Sequence, residues 1–590
     1  MRRTTFSLCL TRLALALACA GGHAAQAVVT DHREFDATLH APFQADPQAP
    51  AAEPQARSFT LDFAYPQASG AYDVDWRLDL VDHAGHQVQQ WTGRQRLAER
   101  PVSVTVHWSG RGAHGRLADG IYTVRMHAVA VPAGAAEPKP EHEHEQEHEQ
   151  EQEQEQEQEQ ERGEAIDQSW DIAVGLAALA KGRASPLAVP RAAARQAVPG
   201  GGTLVLAGLP YAVYYGNLHS QTDHSDGGGA LATCTSAQEP QSAALGPADA
   251  YAYAQAHGLD ILMTSEHNHM YDGSDGSNVH ADALAARALY QSGLKVAADY
   301  NAAHPGFLAL YGMEWGVIDR GGHMNIFNSP SLLGWERNAA GELIGDIATP
   351  KGDYAALYTL MRAKGWVGQF NHPASSGQFA VGGVALAYTA DGDHAMALCE
   401  VLNSSAFSAN DSETETRHSS YEGACDKLLE AGYHLAFSSD QDNHCANWGM
   451  SYTNRTGVLI PRGTPLSTAS FLAAVKARRV FATMDKHAQL VLTANGRLMG
   501  ARFANSGRLR LLARYASADG RHAARVQFWE GVPGRNGNVT LLASVADVTI
   551  KPTPGQHFYY AKVTQDDGKL LWSAPVWVTQ AAAQTPPPAR

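Results

Sequence analysis

Between Tyr211 and about Met484 the chain alternates strand-like and helix-like runs, and this alternation restricts its fold more than any other feature. The strand-like runs are AVYYGNLHS, LDILMTSEH, FLALYGMEW, HMNIFNS, WVGQFNHP, ALCEVLN and YHLAFSSD. Helix-like runs between them include PADAYAYAQAHG, ADALAARALYQSGLKVAADY, DYAALYTLMRAKG and YEGACDKLLEAG. Several end in Gly, among them Gly258, Gly365 and Gly432, which suits a left-handed C-terminal cap. Repeated βα units imply a mainly parallel sheet or barrel.

The flanks read differently. From about Ser58 to Val131 apolar and polar residues alternate, as in SFTLDFAY, YDVDWRLDLV and VSVTVHW, the pattern of a β-sandwich-like domain. Alternation returns after Asp485 in LRLLARY, ARVQFWEG and FYYAKVTQ. A chain of 590 residues is too long for a single core. The expected layout is a signal peptide at 1–27, a sandwich-like domain at 28–183 and a linker at 184–208. A βα barrel at 209–485, a C-terminal β domain at 486–580 and a tail at 581–590 complete it.

The formal charge is -15, but much of it is local. Glu141 to Glu161 holds eleven Glu and no Lys or Arg; setting these aside leaves 49 acidic residues against 45 basic. The folded parts are near neutral, and nothing indicates a nucleic-acid binder, which needs a concentrated basic surface. The Glu/Gln/His tract lacks apolar residues to bury, so a disordered insertion at 137–165 is expected. The strand-like run Ser169–Val174 after it makes it a loop within the sandwich rather than a domain boundary. Its three histidines, His142, His144 and His148, offer at most loose metal chelation, and repeat slippage is the simpler account. Deleting Glu141 to Glu161 is expected to leave turnover and melting temperature nearly unchanged; enzyme assay and calorimetry of the deletion check this.

Arg2, Arg3 and Arg12, the short apolar run Leu13–Ala20 and the Ala25-Gln26-Ala27 cleavage pattern read as an export signal. The expected location is periplasmic or secreted. Lipidation at Cys19 and twin-arginine export from Arg2-Arg3 are variants of that reading. No later segment is long and apolar enough for a transmembrane helix. Cys234, Cys399, Cys425 and Cys445 remain after the signal, an even number that permits two disulfides in an oxidising compartment. None lies in a CxxC pair, which argues against a zinc ribbon.

Potential metal ligands gather where the strand-like runs end. His219, His267, Glu314 and His372 close four of them, Asp440, Asp442 and His444 follow a fifth, and His323 opens another. One histidine alone is usually structural. A whole set at the strand ends, where βα barrels carry their active sites, indicates divalent metal, and imidazole with carboxylate suits zinc, manganese or iron.

These segments resemble the motifs of the PHP (polymerase and histidinol phosphatase) superfamily. GNLHSQTDHSDGG is similar to its first motif, TSEHN to the second, and GMEW with GGHMNIF to the third region. QFNHP resembles the His-Pro motif and SSDQDNH the closing Asp-x-His, all in family order over about 270 residues. The secreted branch similar to carbaryl hydrolase is the nearest in pattern. The resemblance implies an α/β fold: a distorted seven-stranded βα barrel flanked by β-sandwich-like domains and holding two or three divalent ions. By position, His219 and Gln221 would serve a first site and Asp226 and His267 another. Glu314 would bridge two ions, His323 and His372 would serve the second, and Asp442 and His444 would close the cluster.

Two departures stand out. Gln221 replaces the second His of His-x-His, and an amide is a poorer ligand for zinc-like metals, so His224 is a candidate substitute. Asp440 offers an alternative Asp440-x-Asp442 register; Asp442-x-His444 is preferred because it keeps the imidazole. Glu314, His269 and Arg320 are the catalytic candidates, with Glu266 a further proton carrier and Arg320 a phosphate holder. Glu266, His269 and Arg320 are equally readable as supporting or surface residues. The Asp226–Ala230 turn could approach an anion through its amides.

The implied activity is hydrolysis by a metal-bridging hydroxide, of a phosphoester first and a carboxylic or carbamic ester second, in a small-molecule or polymer-borne substrate. The competing class is a surface or polymer-binding protein with a degenerate barrel, which Gln221 favours. Oligomeric state is not legible. Of the three cysteine pairings, Cys399–Cys425 is favoured because a core strand and its following helix carry them. Cys234–Cys445 would then join two loops at the metal face, with four free thiols as the alternative.

Overall fold

The computed structural model describes residues 35–65, 70–98, 100–133, 164–175, 209–317, 321–374, 377–535 and 539–582. The expected signal, the linker, all but two residues of the acidic insertion and most of the tail lie outside them.

The N-terminal part holds β1 (Asp36–His40), β2 (Arg57–Ala64), β3 (Tyr72–Val81), β4 (Gln87–Leu97), β5 (Val102–Trp108), β6 (Gly120–Pro132) and β7 (Glu164–Val174). They form two antiparallel sheets, β1-β2-β5 and β4-β3-β6-β7. The period-2 pattern buries Phe59, Leu61 and Phe63 from one sheet and Val74, Leu78, Val124 and Met126 from the other. β6 and β7 pair from Gly120 opposite Val174 to Ala130 opposite Glu164, so the acidic tract joins neighbouring strands of one sheet. The second of these strands starts at Glu164, inside the expected insertion, because Glu164 and Ala165 continue the ladder.

The central part is built on β8 (Tyr211–Asn217), β9 (Ile261–His267), β10 (Leu308–Trp315), β11 (Met324–Ile326), β12 (Gly368–Phe370), β13 (Met396–Ser404) and β14 (Ala436–Asp440). β8-β9-β10 are parallel, β11 runs antiparallel between β10 and β12, and β12-β13-β14 are parallel. The path then returns to its start. Just beyond β14 and β8, Ser220 and Asn443 form a parallel bridge; Asp442 N–H donates to His219 O and Gln221 N–H to Asn443 O, both at 2.9 Å. Seven strands thus form a ring. The HMNIF run is its one antiparallel member; only eight residues separate it from β10, too few for a helical crossover.

Helices α1 (Pro247–Ala256), α2 (Ala283–Ala303), α3 (Tyr354–Lys364), α4 (Ala390–Ala395) and α5 (Glu422–Ala431) connect the ring strands. Asp282 and Asp353 cap the N-termini of α2 and α3, and Gly365 ends α3 at φ 70°. Every residue of β10 is buried, as a strand covered on both faces requires.

The chain then adds β15 (Arg455–Pro461), helix α6 (Thr468–Lys476) and β16 (Val480–Thr483), with β15 antiparallel to both β8 and β16. The C-terminal strands include β17 (Ala488–Ala494), β18 (Leu509–Ser517), β19 (Ala523–Gly531), β20 (Gly555–Gln565), β21 (Leu570–Ser573) and β22 (Val576–Gln580). β21 pairs with β16 from Phe481 opposite Ser573 to Thr483 opposite Leu571. One mixed sheet therefore runs from the ring into the C-terminal part, so position 485 is not a break in hydrogen bonding. β21 covers an edge that would otherwise expose unpaired backbone groups. The described residues are mostly β, at 42% strand and 15% helix; the α/β description suits only the centre.

Buried charges tie the three parts together. Asp171 on β7 pairs with Arg525 and accepts from Thr564 Oγ1 at 2.6 Å. Glu422 on α5 accepts from Lys562 Nζ at 2.5 Å and Trp572 Nε1 at 3.0 Å. Such pairs do more to fix how the parts dock than to stabilise them, because desolvation offsets much of their attraction.

Candidate metal centre

The C-terminal ends of the ring strands bring together eight buried imidazoles and carboxylates: His219, Asp226, His267, Glu314, His323, His372, Asp442 and His444. Glu314, near the end of β10, is their hub. Its Oε2 lies 2.9 Å from His219 Nε2 and 3.6 Å from His267 Nδ1. Its Oε1 lies 3.1 Å from His323 Nδ1 and 3.3 Å from His372 Nε2. Asp442 Oδ1 lies 3.0 Å from His219 Nε2, and its backbone takes a φ of 52° that aims the side chain into the ring. Asp226 sits between His267 Nε2, at 3.7 Å, and His444 Nε2, at 3.4 Å.

Three trios have ligand atoms within 4.8 Å of one another: His219/Glu314/His372, Asp226/His267/His444 and His267/Glu314/His323. Glu314 and His267 each belong to two. Both Asp226 oxygens are buried with no hydrogen-bond partner among the described residues, a state that a cation would relieve. Nitrogen and oxygen donors in these numbers fit zinc, manganese or iron. A fourth trio, Asp485/His487/Asp519, is partly exposed, and its His487–Asp519 ion pair at 2.6 Å accounts for it.

Within the cluster, burial and the neighbouring charges oppose one another. Burial opposes charge on His219, but Asp442, Glu314 and Glu400 outweigh it and hold the ring well above its ordinary pKa. Burial likewise opposes charge on His444, yet Asp226 and Asp442 raise it to about 9. Glu314 is held well below the usual carboxylate range: burial works against this, and His219, His323 and His267 prevail.

Several sequence-marked residues take other positions. Gln221 is at the centre but faces Glu314 with its amide nitrogen, donating to Oε2 at 2.7 Å, while Ser225 Oγ donates to its oxygen at 3.2 Å. In this orientation it supports the hub as a hydrogen-bond donor. His224 does not replace it; its Nδ1 lies 2.6 Å from Tyr311 Oη, and burial lowers its pKa to about 4. Asp440 accepts from Leu218 N at 2.8 Å, Thr456 Oγ1 at 3.0 Å and Gln369 Nε2 at 3.2 Å, which leaves the Asp442-x-His444 register to the centre. Glu266 holds the first-motif loop through Thr222 N, Thr222 Oγ1 and Ser225 Oγ, and burial raises its pKa to about 7. His269 is buried beside His267, ring centroids 5.7 Å apart, with Nε2 3.4 Å from Asp275 Oδ1. Arg320 lies outside the described residues.

Two amides of the glycine turn are taken up within the protein rather than left for an anion. Gly227 N–H donates to Thr222 O and Gly229 N–H to His444 O. Glycine is needed there for space: a Cβ on Gly227 would lie 2.3 Å from the Gln221 backbone.

Two site residues escaped the sequence reading. Glu400 lies within β13, with Oε2 3.3 Å from His219 Nδ1. Asn371 Nδ2 donates to Glu314 Oε1 at 2.7 Å and to Asn325 Oδ1 at 2.9 Å. Asn371 adjoins His372 and was within reach of a motif reading; Glu400 had no such signal.

Both favoured disulfides are present. Cys399–Cys425 joins β13 to α5, with Cα atoms 5.9 Å apart. Cys234–Cys445 spans 211 residues with Cα atoms 5.7 Å apart and ties the loop after Asp226 to the residue after His444.

No family model and no curated protein matches the chain. Solved structures similar to it include a β-glucuronidase from Parabacteroides merdae, at 9% identity over 94% of this chain and 65% of that one, with a TM-score of 0.17. A glycosyl hydrolase family 2 member from Bacteroides cellulosilyticus matches at 9% over 94% and 64%, TM-score 0.16. An FMN-binding β-glucuronidase from Facaelibacterium prausnitzii matches at 10% over 93% and 74%, TM-score 0.16. The chain thus spans just under two-thirds of the first of these proteins. Superposition this poor fixes neither the fold nor the chemistry.

Proposed function

We propose that this chain is an exported, metal-dependent hydrolase with a PHP-type barrel, acting first on phosphoesters. The observation that carries this reading is the convergence of eight buried ligand groups on Glu314 at one end of the strand ring. Two disulfides and the N-terminal export pattern support an oxidising compartment.

His219, Asp226, His267, Glu314, His323, His372, Asp442 and His444 would hold two or three divalent ions of zinc, manganese or iron. When bound, such ions supply Lewis acidity that activates water near neutral pH and offsets charge on a phosphoryl oxygen. The protein holds that charge-rich site fixed: Asn371 and Gln221 orient the two Glu314 oxygens, and ring closure holds Asp442 against His219. His269, backed by Asp275, is the group placed to give a proton to a leaving oxygen. The same centre would serve a carboxylic or carbamic ester, whose carbonyl oxygen develops similar charge.

A panel of chromogenic phosphomonoesters, phosphodiesters, carboxylic esters and carbamates tests the substrate class. Chelator-sensitive turnover highest on a phosphoester is the expected result. Higher turnover on carbamates or carboxylic esters would move the assignment to the second class. No turnover on any, with ions bound, would favour a binding protein with a degenerate barrel.

A further inference from the structure

Glu400 is fully buried, belongs to no ligand trio and touches two residues that do. Its Oε2 accepts from His372 N–H at 2.8 Å and lies 3.3 Å from His219 Nδ1. Its Oε1 accepts from Asn403 Nδ2 at 3.1 Å. The other nitrogen of His219, Nε2, faces Glu314 and Asp442. His372 has a φ of 26°, a backbone conformation that non-glycine residues rarely hold without support.

We propose that Glu400 is a positioning residue that presets two ligands of the metal centre at once. It fixes the His219 tautomer with the proton on Nδ1, leaving the Nε2 lone pair for an ion. It also pins the strained His372 backbone so that the imidazole points at Glu314. A carboxylate behind a ligating histidine orients the ring and raises its basicity, and losing it typically costs roughly 10–100-fold in metal affinity. Here one carboxylate does this for one ligand through its ring and for another through its backbone. The proposal rests on the metal-centre reading above.

The test uses the full-length protein and its Glu400→Gln and Glu400→Asp variants. Zn²⁺ and Mn²⁺ affinities are measured by competition with a chromogenic chelator, and the visible spectrum of the Co²⁺-substituted protein is recorded. Both variants are expected to bind at least one ion roughly 10–100-fold more weakly, with a shifted Co²⁺ band. Glu400→Gln, which keeps an oxygen for His372 N–H, should be the milder. Wild-type affinity and an unchanged spectrum in the variants, with ions bound by the wild type, would overturn the positioning role and leave the centre standing. A wild type that binds no ion would sink both. Should the Glu400 variants fail to fold, Asn403→Ala keeps the carboxylate but removes its Oε1 partner: weakened binding supports the role, and unchanged binding contradicts it.

Discussion

Glu314→Gln is expected to lower turnover by on the order of a thousandfold while the protein stays folded. The side chain is isosteric and wholly buried, so packing around it is preserved. What changes is charge and hydrogen-bond polarity at the hub. Glu314 Oε2 now receives the Gln221 amide at 2.7 Å, and Oε1 receives the Asn371 amide at 2.7 Å. A glutamine must set an NH₂ against one of those donors. It also would offer no net charge to any ion held among His219, His267, His323 and His372. Two of the three trios contain Glu314, so both should lose affinity together. Circular dichroism and calorimetry check the fold, and single-substrate kinetics check the loss. A folded variant within about tenfold of wild type would remove Glu314 from its bridging role.

Replacing both Cys234 and Cys445 by Ala is expected to destabilise the protein by about 2–4 kcal/mol and to weaken one ion selectively. The bond closes a loop of 211 residues, where the entropic effect on the unfolded chain is large. It also lies between two ligands. Gly229, three residues after Asp226, donates to His444 O, and Ala446 donates back to Gly229 O. Without the disulfide these two backbone bonds are left to hold Gly229 against the His444–Ala446 stretch. The Asp226/His267/His444 ion should therefore weaken first, and the two sites on Glu314 later. Denaturant unfolding gives the stability, and stepwise chelation of the variant gives the order of loss. Unchanged stability, or simultaneous loss of all ions, would contradict this account.

The candidate ligands were legible because four of the strand-like runs close on one, and chain order alone sets those at one end of a parallel array. His219, His267, Glu314 and His372 need no side-chain detail to be placed there. The cysteine pairs followed from the same placement. The roles of His224, Glu266 and Asp440 were not legible: they lie close to candidate ligands in sequence, but their side chains meet Tyr311, Thr222 and Leu218 instead. Glu400 was hidden because it sits within a strand, and its contact with His219 exists only once β13 and β8 share the ring. The continuous sheet from β16 to β21 was invisible for a related reason. Alternation identifies a strand and its buried face, but a partner 90 residues away leaves no local trace.

Elemental analysis of the purified mature protein, paired with phosphoester turnover before and after chelation, tests the central claim most directly. The account predicts two or three equivalents of zinc, manganese or iron per chain, turnover that disappears as they are stripped, and recovery when one of these ions is returned. A chain free of bound metal that turns over the ester equally well in chelator would contradict it.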